Sequence, residues 1–597
     1  MNICARNNQL ARRPPRAACS FIQTASNKLS KPSEKCGNIL LKTISKGGVW
    51  MALLNKTVGE VVREKARQFP DVEAYVYPEH GIRKTYREFD EETDRLAKAY
   101  LGMGIKKGEH VAIWSDNKRQ WFLSQFATGK MGAVLVTVNT NYQAAELEYL
   151  LKQSESTTLI LDEGFKGTSY IDIIRQVCPE AEVSEKGEIS CKNLPHLKRI
   201  ILMTERDERG MFKWSEFEAK ADSVTDEELE AVFRSLDPED AINMQYTSGT
   251  TGFPKGVMLT HNNIVNNAQL IGDRMKLTEK DRLCIPVPFF HCFGCVLSTL
   301  TAVTHASTSV IIEQFNPLTV LKAVQDEKCT ALNGVPTMFI AELQHPEFKN
   351  FDTSSLRTGI MAGSTCPIEV MKQVINEMGA DEITICYGQT ESSPVITQTT
   401  TNDPIEKRVA TVGKPHPYVE VKIIDPATGK EVPKGEPGEL CTRGYHVMKG
   451  YYNNEEATRK AIDEDGWLHT GDIAVMDEDG YLDITGRIKD MVIRGGENIY
   501  PREIEEFLYT HPSVSDVQVI GVPDPKYGEE LMAWIILKPG AEETAESVRE
   551  FCKGKISYHK IPRYIEFTDE YPMTASGKIQ KFKLREMSEE RTGIGAK

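Results

Sequence analysis

The chain has fewer basic than acidic residues. Its 597 residues carry 72 lysines and arginines against 86 aspartates and glutamates, a formal net charge of −14 at pH 7. General nucleic-acid binders carry a basic patch or stripe, so this composition argues against that class. The exception is the segment 1–50, which contains nine basic side chains and a single acidic one, Glu34.

Cysteine is sparse and irregularly spaced, with 13 residues in the chain. This pattern argues against a disulfide framework and favours reduced, mostly buried thiols. One CxxC occurs, in His291-Cys292-Phe-Gly-Cys295. Because no second Cys/His pair lies nearby, a zinc site is disfavoured there, and a redox pair stays open beside our preferred interpretation of core cysteines. The sequence does not decide the role of Cys292 and Cys295.

No segment has the composition of a membrane span. The run from Cys284 to Val303 contains no Asp, Glu, Lys or Arg over a length that could cross a bilayer. Pro286, Pro288 and His291 interrupt it, so we expect a buried wall inside a folded domain. The chain also lacks internal repeats and low-complexity segments, so no repeat architecture is expected.

At 597 residues the chain is too long for one compact core, and we expect two or more domains. The first fifty residues permit two interpretations. Four arginines within the first 16 residues are typical of a mitochondrial transit peptide. Residues 46–51, Lys-Gly-Gly-Val-Trp-Met, are instead what a translated ribosome-binding site before a start codon would encode. We favour a mis-assigned start and a cytoplasmic location, with the mitochondrial matrix as the alternative if the leader is genuine.

Strand-like and helix-like runs alternate from about residue 86 onward, which favours an α/β fold with parallel pairing. The predicted strands of this region are His110–Ser115, Ala133–Asn139, Thr157–Asp162, Lys328–Val335, Leu356–Ala362 and Ile383–Cys386, and the predicted helices are Asn117–Met131 and Ala144–Ser154. Residues 163–240 are more polar and harder to place.

The texture of the sequence changes after about residue 405. Short strands separated by Gly, Pro and Asp turns predict a small β-rich subdomain, and an α+β unit follows Arg487. The segments concerned are the strands Val419–Ile424, Gly438–Arg443, Tyr481–Ile484, Val514–Val522 and Leu531–Leu537 and the helix Pro501–Tyr509, which has proline in its first position.

One stretch stands out for its density of hydroxyls and glycines, Tyr246-Thr-Ser-Gly-Thr-Thr-Gly-Phe-Pro-Lys255-Gly256. Glycines let a backbone turn tightly and bring its N–H groups close to an anion, and Lys255 adds a full positive charge. The stretch is not a Walker A loop, because no Gly-Lys pair is followed by Ser or Thr. It predicts a phosphate-binding loop, with an ordinary Ser/Thr/Gly turn as the structural alternative.

Four further stretches have a composition that suits a site: Tyr387–Glu391, Trp467–Asp472, Gly486–Gly496 and Pro572–Ile579. Glu391 follows a predicted strand, where ligands bind in open α/β sheets, and could hold Mg²⁺. Asp472 could accept hydrogen bonds from ribose hydroxyls. The third stretch resembles an interdomain hinge, and the fourth presents Lys578 on a loop. Taken singly, each could also be a surface loop or turn.

In their order along the chain these stretches resemble the adenylate-forming, AMP-binding acyl-CoA synthetase superfamily. The resemblance runs from about Thr57 to Arg585, and the segments 142–149, 494–501 and 551–557 are most similar to the medium-chain fatty acyl-CoA synthetase branch. The family activates a carboxylic acid with ATP to give acyl-adenylate and pyrophosphate, and then transfers the acyl group to a thiol, usually that of coenzyme A. The resemblance therefore implies ATP, Mg²⁺ and coenzyme A, and a medium- to long-chain fatty acid.

The resemblance also implies roles for individual residues. Residues implied to hold ATP or AMP are Thr247, Ser248, Gly249, Thr250, Thr251, Gly252, Lys255, Gly363, Ser364, Cys386, Tyr387, Gly388, Gln389, Thr390, Glu391, Asp472, Arg487 and Lys578. Residues implied to line the acyl pocket are His291, Cys292, Phe293, Val335, Met361, Ala362 and Gly363, with His291 either gating the tunnel or sitting in its wall. Thr247 and Glu391 would support Mg²⁺, Lys578 would act in adenylation, Lys489 would be the hinge residue, and Gly496 would lie on the path of coenzyme A.

The implied fold is a large N-terminal domain of stacked α/β sheets plus a β-rich subdomain, followed by a small mobile α+β domain. The corresponding boundaries are 1–50 for the extension, 51–486, a hinge at 487–491 and a lid at 492–597. The alternatives left open are a free-standing enzyme that loads a carrier protein, a luciferase-like oxygenase, and a non-catalytic acyl or nucleotide binder. The sequence predicts neither acyl chain length and branching nor the oligomeric state.

Overall fold

The computed structural model describes residues 52–247, 254–364, 366–494, 497–574 and 578–592. Residues from Leu53 onward form one compact unit. The interpretations of residues 1–50, of Ser248 to Gly252 and of Gly496 concern positions outside the described ranges. The domain boundaries proposed above stay predictions, while the arrangement of sheets can be read directly.

Two large mixed sheets form the body of the molecule. Within the described residues, sheet A has nine strands, in the spatial order Lys414–Pro415, Val395–Gln398, Glu382–Gly388, Thr358–Met361, Ala331–Gly334, Arg282–Ile285, Thr308–Ile311, Glu73–Tyr77 and Ile82–Thr85. Sheet B has eight described strands, in the order Gly450–Tyr451, Lys255–Thr260, Ala241–Thr247, Val134–Thr137, His110–Trp114, Thr158–Leu161, Arg199–Leu202 and Met211–Phe212. The central strands of both sheets are parallel, as predicted.

Helices cover the faces of these sheets. They are Val58–Gln68, Tyr86–Gly102, Arg119–Met131, Ala144–Gln153, Tyr170–Val177, Trp214–Glu218, Asp226–Phe233, His261–Met275, Pro317–Asp326, Pro336–Leu343, Ile368–Met378 and Ile405–Ala410. Threonine begins several of them, because its hydroxyl accepts from a backbone amide of the first turn, as Thr57 does from Glu60. The largest buried cluster contains side chains of both sheets, such as Ile360 and Leu135, so the main core is shared between sheets A and B.

Two smaller sheets follow in the chain. Sheet C consists of the antiparallel strands Val419–Ile424, Gly438–Gly444, Leu468–Met476 and Leu482–Arg487. The helix Glu455–Ala461 lies between the second and third of these strands in the chain. Sheet D consists of Glu497–Ile499, Val492–Arg494, Gly528–Leu537, Val514–Asp524 and Tyr564–Phe567, with helices Pro501–Tyr509, Ala545–Cys552 and Lys581–Thr592. These are the predicted β-rich subdomain and the small α+β C-terminal domain.

Every strand and helix named from the sequence is present, and the predicted ends differ from the observed ones by at most three residues. The segment 163–240, which the sequence left unplaced, supplies two strands at one end of sheet B and three helices. None of the described helices combines the length and the apolar composition that crossing a bilayer requires.

Candidate active site

The stretch predicted to bind phosphate connects two antiparallel strands of sheet B. Thr247 ends one strand, Lys255 begins the next, and the two residues are register partners. They therefore flank the intervening loop at the carboxyl end of a strand whose other neighbour is parallel, which is where α/β proteins bind ligands. The Lys255 ammonium lies 4.3 Å from the centre of the Tyr451 ring, and this cation–π contact orients it at the loop.

Glu391 is the buried carboxylate beside this loop. The Thr247 hydroxyl donates to Glu391 Oε1 at 3.4 Å, and the Tyr451 hydroxyl donates to the same oxygen at 2.8 Å. The residue is only 9 % exposed, and in the described ranges no lysine or arginine forms an ion pair with it. This buried carboxylate contacts only hydroxyl groups among the described side chains, so a bound cation would supply its missing countercharge. The oxygen donors of Thr247 and Glu391 are the kind that Mg²⁺ prefers.

Asp472 forms the centre of a second polar group. Its Oδ1 receives the Arg487 Nε at 3.0 Å, and its Oδ2 accepts from the Tyr387 hydroxyl at 2.7 Å. Asp472 is 4 % exposed, and its charge raises the pKa of Arg487. The strand Leu468–Met476 thus brings Asp472 next to the segment that ends at Glu391. Tyr387 and Asp472 are 85 residues apart in sequence, and this hydrogen bond joins them. We call the region between Asp472, Glu391 and the Thr247–Lys255 loop the cleft.

Glu439, which the sequence reasoning missed, anchors the turn that carries Asp472. Its Oε1 accepts from the backbone N–H of Gly471 at 3.1 Å, and its Oε2 faces His469 Nδ1 at 3.1 Å. The Thr470 hydroxyl donates to the Leu440 carbonyl of the same neighbouring strand at 2.7 Å. Gly471 has a φ of +70°, a left-handed conformation that a residue with a Cβ adopts at a cost. The turn is therefore held from the strand Gly438–Gly444.

Lys578 approaches the same cleft from the C-terminal domain. Its backbone is fixed by Thr574, whose amide donates to the Lys578 carbonyl at 2.7 Å and whose hydroxyl accepts from the Lys578 amide at 3.0 Å. The positive charge of Arg487, followed by desolvation among protein atoms, lowers the pKa of Lys578 to about 8. Asp472 and Lys489 act on it as well, so these four charged groups lie close together. The ammonium side chain is still reachable by solvent in the cleft.

The uncharged wall predicted from the sequence is buried. It begins as the helix Cys292–Gly294, continues as a π-helical segment, Cys295–Leu300, and ends as the turn Thr301–Thr304. π-Helical segments are rare and concentrate at functional sites. The residue pattern of the sequence did not predict this one. His291 caps the first turn, because its Nδ1 accepts from the Phe293 amide at 3.1 Å. Burial, with the charge of Lys578 as a second cause, lowers the pKa of His291 to about 4, so the ring is neutral near pH 7.

The strand ends of sheet A complete this wall. Gly363 follows the strand Thr358–Met361 with a φ of +93°, and a Cβ placed there would approach Val335 Cγ1 at 3.0 Å and Phe293 Cδ1 at 3.8 Å. The predicted pocket residues Phe293, Val335 and Gly363 therefore meet at one place. Met361 and Ala362 are buried beside them, whereas Ser364 is exposed.

The CxxC cysteines are buried in the wall, as the favoured interpretation held. Cys292 Sγ lies 3.6 Å from the Thr390 hydroxyl, and Cys295 Sγ accepts from the Gln245 side chain at 3.2 Å. Burial raises the pKa of Cys292 to about 12 and that of Cys295 well above its ordinary value, so both stay protonated thiols. Protonated, buried thiols are poor nucleophiles, so a redox role for this pair is not favoured.

The segment after Arg487 joins the two domains. Ile488–Asp490 forms one turn of 3₁₀ helix, and Asp490 pairs with Arg585 of the last helix at 3.0 Å. Arg502 NH1 lies 2.6 Å from Asp483 Oδ1, so the first helix after this segment also contacts sheet C. Burial lowers the pKa of Lys489.

Two large α/β sheets, buried polar groups around Glu391 and Asp472, and a lysine from the C-terminal segment form the arrangement expected of a nucleotide-binding enzyme. The AMP-binding enzyme family model matches residues 62–452, and the model of the AMP-binding enzyme C-terminal domain matches residues 503–578. The chain belongs to the AMP-binding enzyme family. The family and the fold class expected from the sequence are confirmed.

Named relatives and solved structures agree with this assignment. YngI of Bacillus subtilis strain 168, a protein named as a candidate acyl-CoA synthetase, is 59 % identical over 544 residues, which cover 91 % of this chain and 99 % of YngI. The human mitochondrial medium-chain acyl-CoA ligase ACSF2 is 41 % identical over 548 residues, 91 % of this chain and 89 % of that one.

Among solved structures, the anthranilate CoA ligase AuaEII in complex with anthranoyl-AMP is 27 % identical, with a TM-score of 0.78 over 91 % of this chain and 99 % of that one. A Mycobacterium tuberculosis fatty acyl CoA synthetase is 28 % identical, with a TM-score of 0.66 over 89 % of this chain and 98 % of that one.

Proposed function

We infer that the protein is an AMP-forming acid–thiol ligase that converts a fatty acid to its coenzyme A thioester. In the first half-reaction, the acid and ATP would give acyl-AMP and pyrophosphate; in the second, the thiol of coenzyme A would take the acyl group and release AMP. The observation that carries this inference is that Lys578 lies close enough to the Arg487–Asp472 ion pair for both charges to act on it. Relatives named as acyl-CoA synthetase and medium-chain acyl-CoA ligase support it.

The first half-reaction requires a cation between two anions. A carboxylate oxygen attacks the α-phosphorus, the bond from that phosphorus to the bridging oxygen breaks, and pyrophosphate leaves. Lys578, in its ammonium form, would offset the repulsion between the carboxylate and the α-phosphate and align the reacting atoms. The low pKa of this lysine reflects a site already rich in positive charge, which suits the several negative charges of the substrates.

The β- and γ-phosphates would lie at the hairpin between Thr247 and Lys255, with Ser248, Gly249, Thr250, Thr251 and Gly252 contributing hydroxyl and amide donors. The buried Glu391 carboxylate and the Thr247 hydroxyl fit a hard cation, and they would hold Mg²⁺. When bound, Mg²⁺ supplies charge neutralisation of the leaving pyrophosphate.

The nucleoside would be held by the second polar group. The Asp472 carboxylate would accept from ribose hydroxyls, with Arg487 beside it, and the segments Cys386–Thr390 and Gly363–Ser364 would line adenine and the α-phosphate. Because Asp472 already binds Arg487 and Tyr387, its orientation is set before a nucleotide enters.

The acyl chain would run along the uncharged wall, past His291 and Phe293 towards Val335. This apolar lining favours medium- to long-chain acids over acetate, because a charged or short acid would bury less apolar surface there. For the second half-reaction the C-terminal domain would rotate about Lys489, withdraw Lys578, and bring Gly496 to the path of the thiol.

The location in the cell stays a prediction. The relatives include a bacterial protein and others named as mitochondrial, so both the cytoplasm and the matrix remain consistent with the family.

The direct test is pyrophosphate release from ATP over straight-chain acids from acetate to long-chain fatty acids, with and without coenzyme A. We expect acid-dependent pyrophosphate release in both arms, and acyl-CoA only when coenzyme A is present. Turnover should peak at medium or long chains. Acyl transfer to the thiol of a carrier protein but not to coenzyme A would establish the carrier-loading alternative, and nucleotide or acid binding without acid-dependent release would favour a binder.

A further inference from the structure

A group of potential metal ligands lies at the opposite end of sheet B from the phosphate hairpin. Cys178 follows the helix Tyr170–Val177, Glu180 belongs to the 3₁₀ turn Pro179–Glu182, and Cys191 lies in the loop before the strand Arg199–Leu202. The two sulfurs and a carboxylate oxygen all lie within 4.8 Å of one another. Neither the active site nor the predicted pocket uses these residues.

Their spacing suits a tetrahedral ion. Zinc binds thiolate sulfur at about 2.3 Å and carboxylate oxygen at about 2.0–2.2 Å, so two sulfurs on one tetrahedral zinc stand about 3.8 Å apart. The observed separations, all within 4.8 Å, are of the same order. Thiolate ligands select zinc and other thiophilic ions over Mg²⁺ and Ca²⁺. With three protein ligands, the fourth tetrahedral position would be taken by water, which differs from the four protein ligands of zinc fingers.

One oxygen of the Glu180 carboxylate has no hydrogen-bond partner. Glu180 Oε1 accepts from the Lys192 backbone amide at 3.2 Å, which fixes the side chain. Glu180 Oε2 is buried and has no hydrogen-bond partner in the structure, and within the described ranges no basic side chain forms an ion pair with Glu180. A buried anionic oxygen without a partner is costly, and a cation at this point would satisfy it.

The two thiols are buried in the same apolar cluster. Cys178 is 0 % and Cys191 is 4 % exposed, and the Cys191 thiol makes a weak hydrogen bond to the Val177 carbonyl at 3.8 Å. Metal binding would release the proton and convert thiol to thiolate, which couples the site to folding.

We propose that Cys178, Glu180 and Cys191 form a structural site for zinc that ties the turn after Tyr170–Val177 to the loop before Arg199–Leu202. The loop between Cys178 and Cys191 contains no helix or strand other than the short 3₁₀ turn, so a metal would add an anchor to the burial of Ala181 and Ile189. The inference does not depend on the proposed function, because these residues lie away from the cleft.

The test measures zinc per chain in the full-length protein, loaded with zinc, dialysed in reducing buffer and compared among variants. Wild type should retain about one zinc per chain, and the double variant Cys178→Ser/Cys191→Ser less than about a tenth of that. Glu180→Gln should weaken zinc affinity by roughly 10- to 100-fold or more, since even outer partners of metal ligands contribute that much. Cys552→Ser, another fully buried cysteine outside the group, is the matched control and should retain zinc.

A second measurement uses only the unaltered protein, so its result stands even if the cysteine variants fail to fold. Cobalt(II) added to the unaltered protein should produce a thiolate-to-cobalt charge-transfer band and raise the Tm, as a structural metal does. The proposal is overturned if wild type holds no more zinc than the double variant or if cobalt binds without the thiolate band. It is also overturned if Cys178 and Cys191 form a disulfide under these conditions.

Discussion

At the residue scale, the pKa of Lys578 makes the first half-reaction sensitive to pH. The adenylation step needs the ammonium form, which is present below the lowered pKa of about 8 and is lost as pH rises through it. The kcat/KM for pyrophosphate release should therefore fall above about pH 8. In the ATP complex the phosphate charges favour the ammonium form, so the corresponding limb of kcat should lie at higher pH.

A matched variant separates this lysine from other titrating groups. Lys578→Arg keeps a positive charge at all accessible pH values, because guanidinium does not deprotonate. It should lower the rate, since the geometry differs, but it should remove the alkaline limb of kcat/KM. An unchanged limb in this variant would assign the titration to another group.

Glu391 carries the second prediction at this scale. Glu391→Gln keeps the shape of the side chain but removes the charge that would hold Mg²⁺ against Thr247. The Mg²⁺ concentration for half-maximal pyrophosphate release should rise by at least roughly tenfold, because even outer partners of a metal ligand contribute that much affinity.

Tyr451→Phe is the control for Glu391→Gln. It removes the hydroxyl that donates to Glu391 at 2.8 Å but leaves the carboxylate, so its Mg²⁺ titration should shift less. A Mg²⁺ titration that is identical in wild type and Glu391→Gln would remove Glu391 from the metal site.

At the scale of elements, the turn before Asp472 depends on a neighbouring strand. Glu439→Ala removes the acceptor for the Gly471 amide and leaves that N–H without its partner. Losing such a bond costs about 1–3 kcal/mol, so the KM for ATP should rise by roughly 5- to 100-fold while the KM for the acid stays near its wild-type value. Glu439→Gln, which keeps an acceptor oxygen, should restore most of the ATP affinity.

A purely structural role for Glu439 would give a different pattern. A general loss of packing would lower the Tm and raise both KM values together, and Glu439→Gln would not restore ATP affinity selectively. That outcome would reject Glu439 as a positioning residue for the nucleotide site.

The sequence predicted the elements well because their signals are local. Apolar runs mark the parallel strands, and Thr57 and Pro501 mark helix starts through capping and through a preset backbone angle. The roles of Lys578 and Asp472 came from the resemblance of motif order, since neither residue type is distinctive alone.

What the sequence could not predict depends on pairing between distant segments. Tyr451 reaches Glu391 and Lys255 because a two-residue strand adds to the edge of sheet B, and no local pattern specifies that partner. Glu439 reaches Gly471 through the register of sheet C. The π-helical segment at Cys295–Leu300 likewise follows from tertiary packing around the wall.

At the scale of the whole molecule, we expect adenylation and thioester formation to use two different positions of the C-terminal domain. In the structure the C-terminal domain contacts the body through Arg502–Asp483 and Gln344–Ser515, and this position places Lys578 in the cleft. We expect the thioester step to use a second position of the C-terminal domain, reached by rotation about Lys489. Proline at residue 489 would restrict φ at the hinge. It would also remove a charge that lowers the pKa of Lys578, which leaves more of the ammonium form that adenylation needs.

The most direct measurement follows both half-reactions in the two variants Lys578→Ala and Lys489→Pro. Lys578→Ala should lose pyrophosphate release by roughly 10²- to 10³-fold yet convert supplied acyl-adenylate to acyl-CoA at nearly the wild-type rate. Lys489→Pro should show the opposite pattern, with adenylation retained and thioester formation impaired. Equal loss of both half-reactions in either variant, or normal rates of both in Lys489→Pro, would contradict the division of labour between the two domain positions.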